Sequence, residues 1–163
     1  MKRVLVVLAT IVIALFAVQT QAASATSAAD AIVISPISII NTAGLNFGKF
    51  AAGTGGSVIM DSDGTRTQSG AVVLATGTAG AAASFTVGGD AAATYAITLP
   101  TTDQELLSGV DSMMVNTFTT PDATGTLDGS GAGTVLVGAT LVVGSGQVVG
   151  SYTGSFSVSV EYN

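Results

Sequence analysis

The chain contains no cysteine, no histidine and no tryptophan, and only 9% of its residues are charged. Without thiol or imidazole there is no disulfide, no Cys or His nucleophile or base, and no thiolate or imidazole metal ligand. Cations are scarcer still: four Lys and Arg stand against ten Asp and Glu, a formal net charge of −6. So little positive charge cannot neutralise a row of phosphates, which argues against nucleic acid as a partner. Prolines number three, and no Pro-rich or charged linker divides the 163 residues, so one folded domain is expected. What is abundant is small and apolar: 21 glycines, and 48% hydrophobic residues of which few are aromatic. That balance disfavours most ordinary enzymes and points towards a structural or binding protein.

Met1-Lys2-Arg3 is a short basic start, and residues 4–18 are apolar but for Thr10. The run has the length of a signal-peptide hydrophobic region and is short for a membrane span. Thr20-Gln21-Ala22 supplies small residues at the −3 and −1 positions of a cleavage site, with Ala23 and Ala25 as a second choice. The expected organisation is a signal peptide over 1–22, an N-terminal extension over 23–35 and a β-domain over 36–163. A retained apolar anchor is the alternative; after cleavage no membrane span remains. Loss of Lys2 and Arg3 leaves Lys49 and Arg66 against ten acids, a charge of −8. Exported small domains commonly carry disulfides, and this one must hold its core by sheet packing alone.

Beyond residue 22 the apolar residues recur with period two, the mark of half-buried strands. Phe85 and Val87 alternate with Ser84 and Thr86; Tyr95, Ile97 and Leu99 alternate with Thr94, Ala96 and Thr98. Met113 and Val115 stand opposite Met114, Asn116 and Phe118, and Val135, Val137, Leu141 and Val143 continue the pattern. The one helical candidate is residues 103–107. Turn signals separate the runs: Gly53-Thr54-Gly55-Gly56, Asp61-Ser62-Asp63-Gly64, Gly88-Gly89-Asp90, Pro121-Asp122, Asp128-Gly129 and Gly144-Ser145-Gly146. Glycine supplies positive φ and Asp a side-chain-capped turn at each reversal. Short strands punctuated in this way predict an all-β, antiparallel sandwich or barrel. Pro36, lacking an N–H, separates two short extended pieces within residues 31–40.

The C-terminal segment alternates longest. Gly150, Tyr152, Gly154, Phe156, Val158, Val160 and Tyr162 share one parity, and Thr153, Ser155, Ser157, Ser159, Glu161 and Asn163 the other. This predicts a strand of about thirteen residues, long against a usual five or six. With Gly150 fourteenth from the end and Tyr162 penultimate, it is similar to the last strand of chaperone–usher fimbrial subunits, although those usually carry a disulfide. Residues 31–40 are similar to the opening of the cysteine-free colonisation-factor type of such subunits. Over residues 28–163 the chain resembles a further family, small exported bacterial proteins grouped as domain of unknown function 4402. The residues that carry this are Ile34-Ser35-Pro36-Ile37-Ser38-Ile39, Asn41-Thr42-Ala43-Gly44-Leu45-Asn46-Phe47-Gly48, Asp63-Gly64-Thr65-Arg66, Ala83-Ser84-Phe85-Thr86-Val87, residues 94–100 and Gly150-Ser151-Tyr152-Thr153-Gly154.

The resemblance implies an immunoglobulin-like, fimbrial-subunit-like β-sandwich with no catalytic residues and no cofactor. It also implies passage through the periplasm to the cell surface or beyond, with a periplasmic chaperone and an outer-membrane usher as partners. An incomplete sandwich of this type is finished by a strand from a neighbouring copy, giving a homo-oligomeric fibre. Ile32 and Ile34 are then the expected donated anchors, and Gly150, Tyr152, Phe156, Val158, Val160 and Tyr162 the strand that lines the acceptor groove. The alternative is a monomeric secreted domain whose first strand pairs within its own sheet. A small outer-membrane barrel also alternates, but only eight Phe and Tyr follow residue 22, too few for two aromatic girdles. A carbohydrate-binding module lacks its usual Trp platform here.

Asp61 and Asp63 before Gly64 begin like a calcium loop, yet residues 65–72 hold no acid to complete one; a hairpin turn is expected, with Arg66 on a nearby carboxylate or in solvent. Asp103 and Glu105, the nearest thing to an acid–base pair, have no aromatic platform to hold a sugar beside them. Asp111, Asp122 and Asp128 read as solvated surface. N-terminal sequencing of the exported chain should begin at Ala23; an intact Met1 terminus would establish the retained anchor instead.

Overall fold

The computed structural model describes residues 21–163. The expected signal peptide therefore lies outside the described residues, save for Gln21 and Ala22. The chain falls into two units, Met1–Val33 and Ile34–Asn163. Within the first, residues 21–33 form no helix or strand. The second is all-β and antiparallel.

Its strands are β1 (Ser38–Ala43), β2 (Phe50–Ala51), β3 (Gly56–Met60), β4 (Arg66–Gly70), β5 (Val73–Leu74), β6 (Ala83–Gly88), β7 (Thr94–Thr98), β8 (Gln104–Ser108), β9 (Asp111–Thr119), β10 (Thr124–Thr126), β11 (Ala132–Val143) and β12 (Ser159–Tyr162). The largest sheet runs β1-β6-β11-β3-β4, with β9 also on β11 and β8 on β9. A three-stranded sheet runs β10-β7-β12, and β2 pairs β5. The expected helical stretch is instead β8, paired Gln104↔Val115 through Ser108↔Asp111. Five residues cannot offset the cost of nucleating a helix, while as a strand they place Leu106 inwards beside Met113.

Strand β11 is the spine. Its first half pairs β6, Ala132↔Gly88 to Val137↔Ala83. Its second half is flanked on both edges, Leu141 facing Val58 of β3 and Val115 of β9. Val135, Val137, Ala139, Leu141 and Val143 all point inwards and are buried, as strict period two requires. The first two join Ala83, Phe85, Val87, Tyr95 and Leu127 in one core; the others join Phe47, Val58, Met60, Val72, Met113 and Val115 in a second. Each fully buried Val, Leu or Met adds about 1.5–3 kcal/mol. Tyr95 is the largest fully buried side chain, and burial pushes its phenol above the ordinary value. Its ring fits because Gly125 has no Cβ: one there would collide with the ring.

A β-bulge changes what β9 presents. Two residues, Thr117 and Phe118, fit where β11 has only Ala139, between the pairs Thr119↔Gly138 and Asn116↔Thr140. Thr117 takes φ 49° to do so, an uncommon state for a β-branched residue. Simple alternation places Phe118 on the face opposite Met113 and Val115; the bulge turns it to their side, where it packs against both cores.

The turns form as their residues dictate. Between β3 and β4 the Asp63 carboxylate accepts the Thr65 amide at 2.8 Å, and Gly64 takes φ 87°. Asp128 Oδ1 accepts the amides of Ala132 and Ser130, at 2.9 and 2.8 Å, and the Ser130 hydroxyl at 2.7 Å. These donors hold both carboxyls below their usual range. Leu141→Ala should lower unfolding stability by about 3–4 kcal/mol, whereas Val142→Ser, on the outer face of the same strand, should stay within about 0.5 kcal/mol. Urea titrations of the two variants check this.

Candidate functional site

One side of the domain is not closed. A cleft of about 1270 Å³ lies over Leu106, Met113, Val115, Phe118 and Leu141, between a wall of residues 44–52 and a wall of residues 147–156. Its lining is mostly apolar with amide and hydroxyl side chains; it contains no carboxylate and a single charged group, Lys49. Among the described residues no cluster of acids could hold a metal ion.

The first wall is fixed from behind. Asn46 exchanges both backbone bonds with Ala81 at 2.8 Å, and its side chain accepts the Gly48 amide at 2.7 Å. Arg66, on β4, donates through Nη1 to the Phe47 carbonyl at 2.9 Å and through Nη2 to the Ala75 carbonyl at 3.2 Å. It is thus neither on a carboxylate nor in solvent, contrary to expectation: the folded loops offer it carbonyls at the one place where it is half-buried. Gly48 is required there twice over, having φ 68° and lying where a Cβ would strike the guanidinium.

The second wall is held at one end. Thr153 exchanges backbone bonds with Leu107 at 2.8 and 3.0 Å. Gln147 Nε2 donates to the Ser112 carbonyl at 3.1 Å and to the Tyr152 hydroxyl at 2.8 Å, which donates onward to the Val148 carbonyl at 2.8 Å. Gly150 sits against Ser108, where a Cβ would clash with its hydroxyl. Phe156 crosses the end of the cleft, 4.9 Å from Phe118 and 6.3 Å from Phe85, ring centre to ring centre.

The residues expected to line a groove are thereby divided. Gly150, Tyr152 and Phe156 line the cleft. Val158, Val160 and Tyr162 do not: they pack on the other core, and the last two lie in β12 against β7. The thirteen-residue strand is also shorter than its alternation suggests. Residues 155–162 keep alternating exposure, yet only Ser159–Tyr162 forms a ladder and Thr153 an isolated bridge. Residues 154–158 form no ladder, although Gly154 lies so close to the Glu105 backbone of β8 that a Cβ there would clash. Of the expected anchors, Ile32 is 91% exposed and Ile34 50%. Of the opposite wall, residues 44–48 were legible only as part of a family pattern and Lys49 and Phe50 were not singled out as lining, because the cleft they face is formed with residues a hundred positions away.

A family model described as a domain of unknown function (DUF4402) matches residues 37–162. The chain belongs to that family. No curated protein and no solved structure matches it, and the similarity to chaperone–usher subunits is not among these findings. The DUF4402 match takes in both walls and the floor of the cleft and stops short of residues 28–36, which the sequence resemblance had included. If Arg66 is what holds the first wall, Arg66→Ala should cost about 1.5–3 kcal/mol, the range for hydrogen bonds to a charged group. Limited proteolysis should then cut first within residues 44–52.

Proposed function

We propose that this protein is a non-catalytic structural subunit of a bacterial surface fibre, polymerising by strand donation. The single observation that carries the reading is the cleft together with residues 154–156 of its wall, which form no ladder. In an antiparallel sandwich such a gap is the place of an absent strand, and an immunoglobulin-like sandwich lacking one edge strand has this form. An extended segment laid along the wall would pair its backbone groups and cover the apolar floor at once.

Residues 31–34 of a neighbouring copy are the segment offered. Ile32 and Ile34 share one face of an extended chain, and burying each stabilises by about 2–3 kcal/mol before ordering costs. The path by which the extension leaves its own domain favours a neighbour as recipient. The Tyr162 hydroxyl donates to the Ser35 carbonyl at 2.8 Å and accepts the Asp90 amide at 2.6 Å, which fixes the exit at the start of β1. The cleft begins at the other end of that strand, past Asn41, roughly 20 Å away at about 3.3 Å per residue. An apolar cleft with open backbone is also an aggregation hazard, which is the physical case for a periplasmic chaperone and an outer-membrane usher during export.

Deleting residues 23–35 should leave a folded domain, with thermal unfolding within a few degrees of the intact processed chain, that forms no fibres by negative-stain microscopy. Fibres from the truncated chain would overturn donation, and a strictly monomeric intact chain would favour a free secreted domain.

A further inference from the structure

Resting on that reading, we infer that one ion pair, between Asp30 of the incoming strand and Lys49 of the receiving copy, sets which face and which register of the strand enters the cleft. Lys49 is the only charged residue in the cleft lining. Asp30 is the only charged residue between Arg3 and Lys49, and it is exposed. The single charge on the donor is thus opposite in sign to the single charge on the acceptor.

The geometry of an extended chain makes the match specific. Asp30, Ile32 and Ile34 lie at i, i+2 and i+4 and share a face. The face that delivers both isoleucines to the floor therefore also turns Asp30 towards the cleft. A carboxylate brought against apolar lining without a partner is strongly unfavourable, so that face is usable only if Asp30 meets a cation. Lys49 is fixed to provide one: its carbonyl accepts the Ala75 amide at 3.0 Å, while its long side chain is exposed and can reach along the rim.

Alternative alignments lose on these terms. A one-residue slip turns the isoleucines outwards and offers Ala31 and Val33 in their place. A two-residue slip keeps the isoleucines inwards but moves Asp30 about 7 Å along the cleft, away from Lys49. A lone polar pair setting register at some cost in stability has precedent in coiled coils. The pair also has a kinetic role. Processed copies each carry a charge of −8 and repel one another, and an attractive contact at the docking point offsets that locally. Arg66, the other cation, is held by the Phe47 and Ala75 carbonyls.

The test uses the processed full-length chain. Lys49→Asp and Asp30→Lys should each slow polymerisation at least fivefold at low ionic strength. The two single variants mixed together, or the double variant, should return to within about twofold of the natural rate, and the differences should shrink in 0.5 M salt as the charges are screened. Because the chain has no cysteine, register can be read directly by disulfide trapping. Lys49→Cys combined with Asp30→Cys should cross-link copies into a ladder, whereas Lys49→Cys with Ala28→Cys or Ile32→Cys should do so at least fivefold less. Single variants that polymerise at the natural rate, or equal cross-linking from positions 28, 30 and 32, would overturn the pairing while the deletion of residues 23–35 still abolished fibres. Fibres that survive that deletion would instead overturn the donation reading on which the pairing rests.

Discussion

The two cores of this domain are held together by the inward face of one strand. Along Ala132–Val143 every second residue is apolar, and the same face passes from the core shared with β6 and β7 to the core shared with β3 and β9. In a chain without cysteine no disulfide reinforces this continuity, and among the described residues no metal ligand set does, so the packing of Val135, Val137, Ala139, Leu141 and Val143 must provide it. Small residues are what let a twelve-residue strand do so. Ala139 leaves room opposite the bulge at Thr117, and Gly138 lets the β3 backbone at Met60 approach where a Cβ would collide. The bulge then aims Phe118 at the junction of the cores, where it meets Phe156 and marks one end of the cleft.

The cleft follows from how this architecture satisfies its backbone. The core around Phe85 and Tyr95 has a sheet on each side: β1, β6 and β11 face β7 and β12. Above the other core lie only the two-residue ladder of β2 with β5, a loop tied down by Arg66, and a C-terminal segment tied down at Thr153. These cover the edges of the floor and leave its middle open. Buried polar groups must be paired, and within the domain they are: no buried side-chain nitrogen or oxygen lacks a partner. Residues 154–158 form no ladder, and of these Gly154, Ser155 and Phe156 line the open cleft.

Much of the fold was legible in the residues because period two is a local property. The alternation along β6, β7 and β11, and the Asp-Gly turns at residues 61–64 and 128–129, need no distant partner to be read. What could not be read depends on contacts across the sheet. The sense in which Phe118 points is set by a bulge opposite Ala139, and the partners of Arg66 are carbonyls of loops that meet only in the folded chain. Periodicity at residues 150–162 correctly gave the side chains that turn inwards, but it is silent on whether a neighbouring strand exists. The wall at residues 44–52 was hidden for the same reason: Leu45, Phe47 and Phe50 follow no simple alternation, and their common role depends on the gap they face.

A contact made by donation would join two different surfaces, a segment leaving at the start of β1 and a cleft that opens past its end. Such a contact is heterologous, and heterologous contacts propagate into rings or filaments rather than closing as two-fold pairs. The composition of the proposed donor suits that task. Ile32, Val33 and Ile34 are β-branched residues already biased to extended backbone and restricted at χ1, so less freedom is lost when they are fixed in a groove. Outside a groove the same residues are a liability, since three consecutive branched apolar side chains with one nearby charge are prone to pair without specificity. On the proposed pairing Asp30 would answer both needs: it would keep the free segment solvated and make most wrong alignments unfavourable, because its face of the strand could be buried only beside a cation.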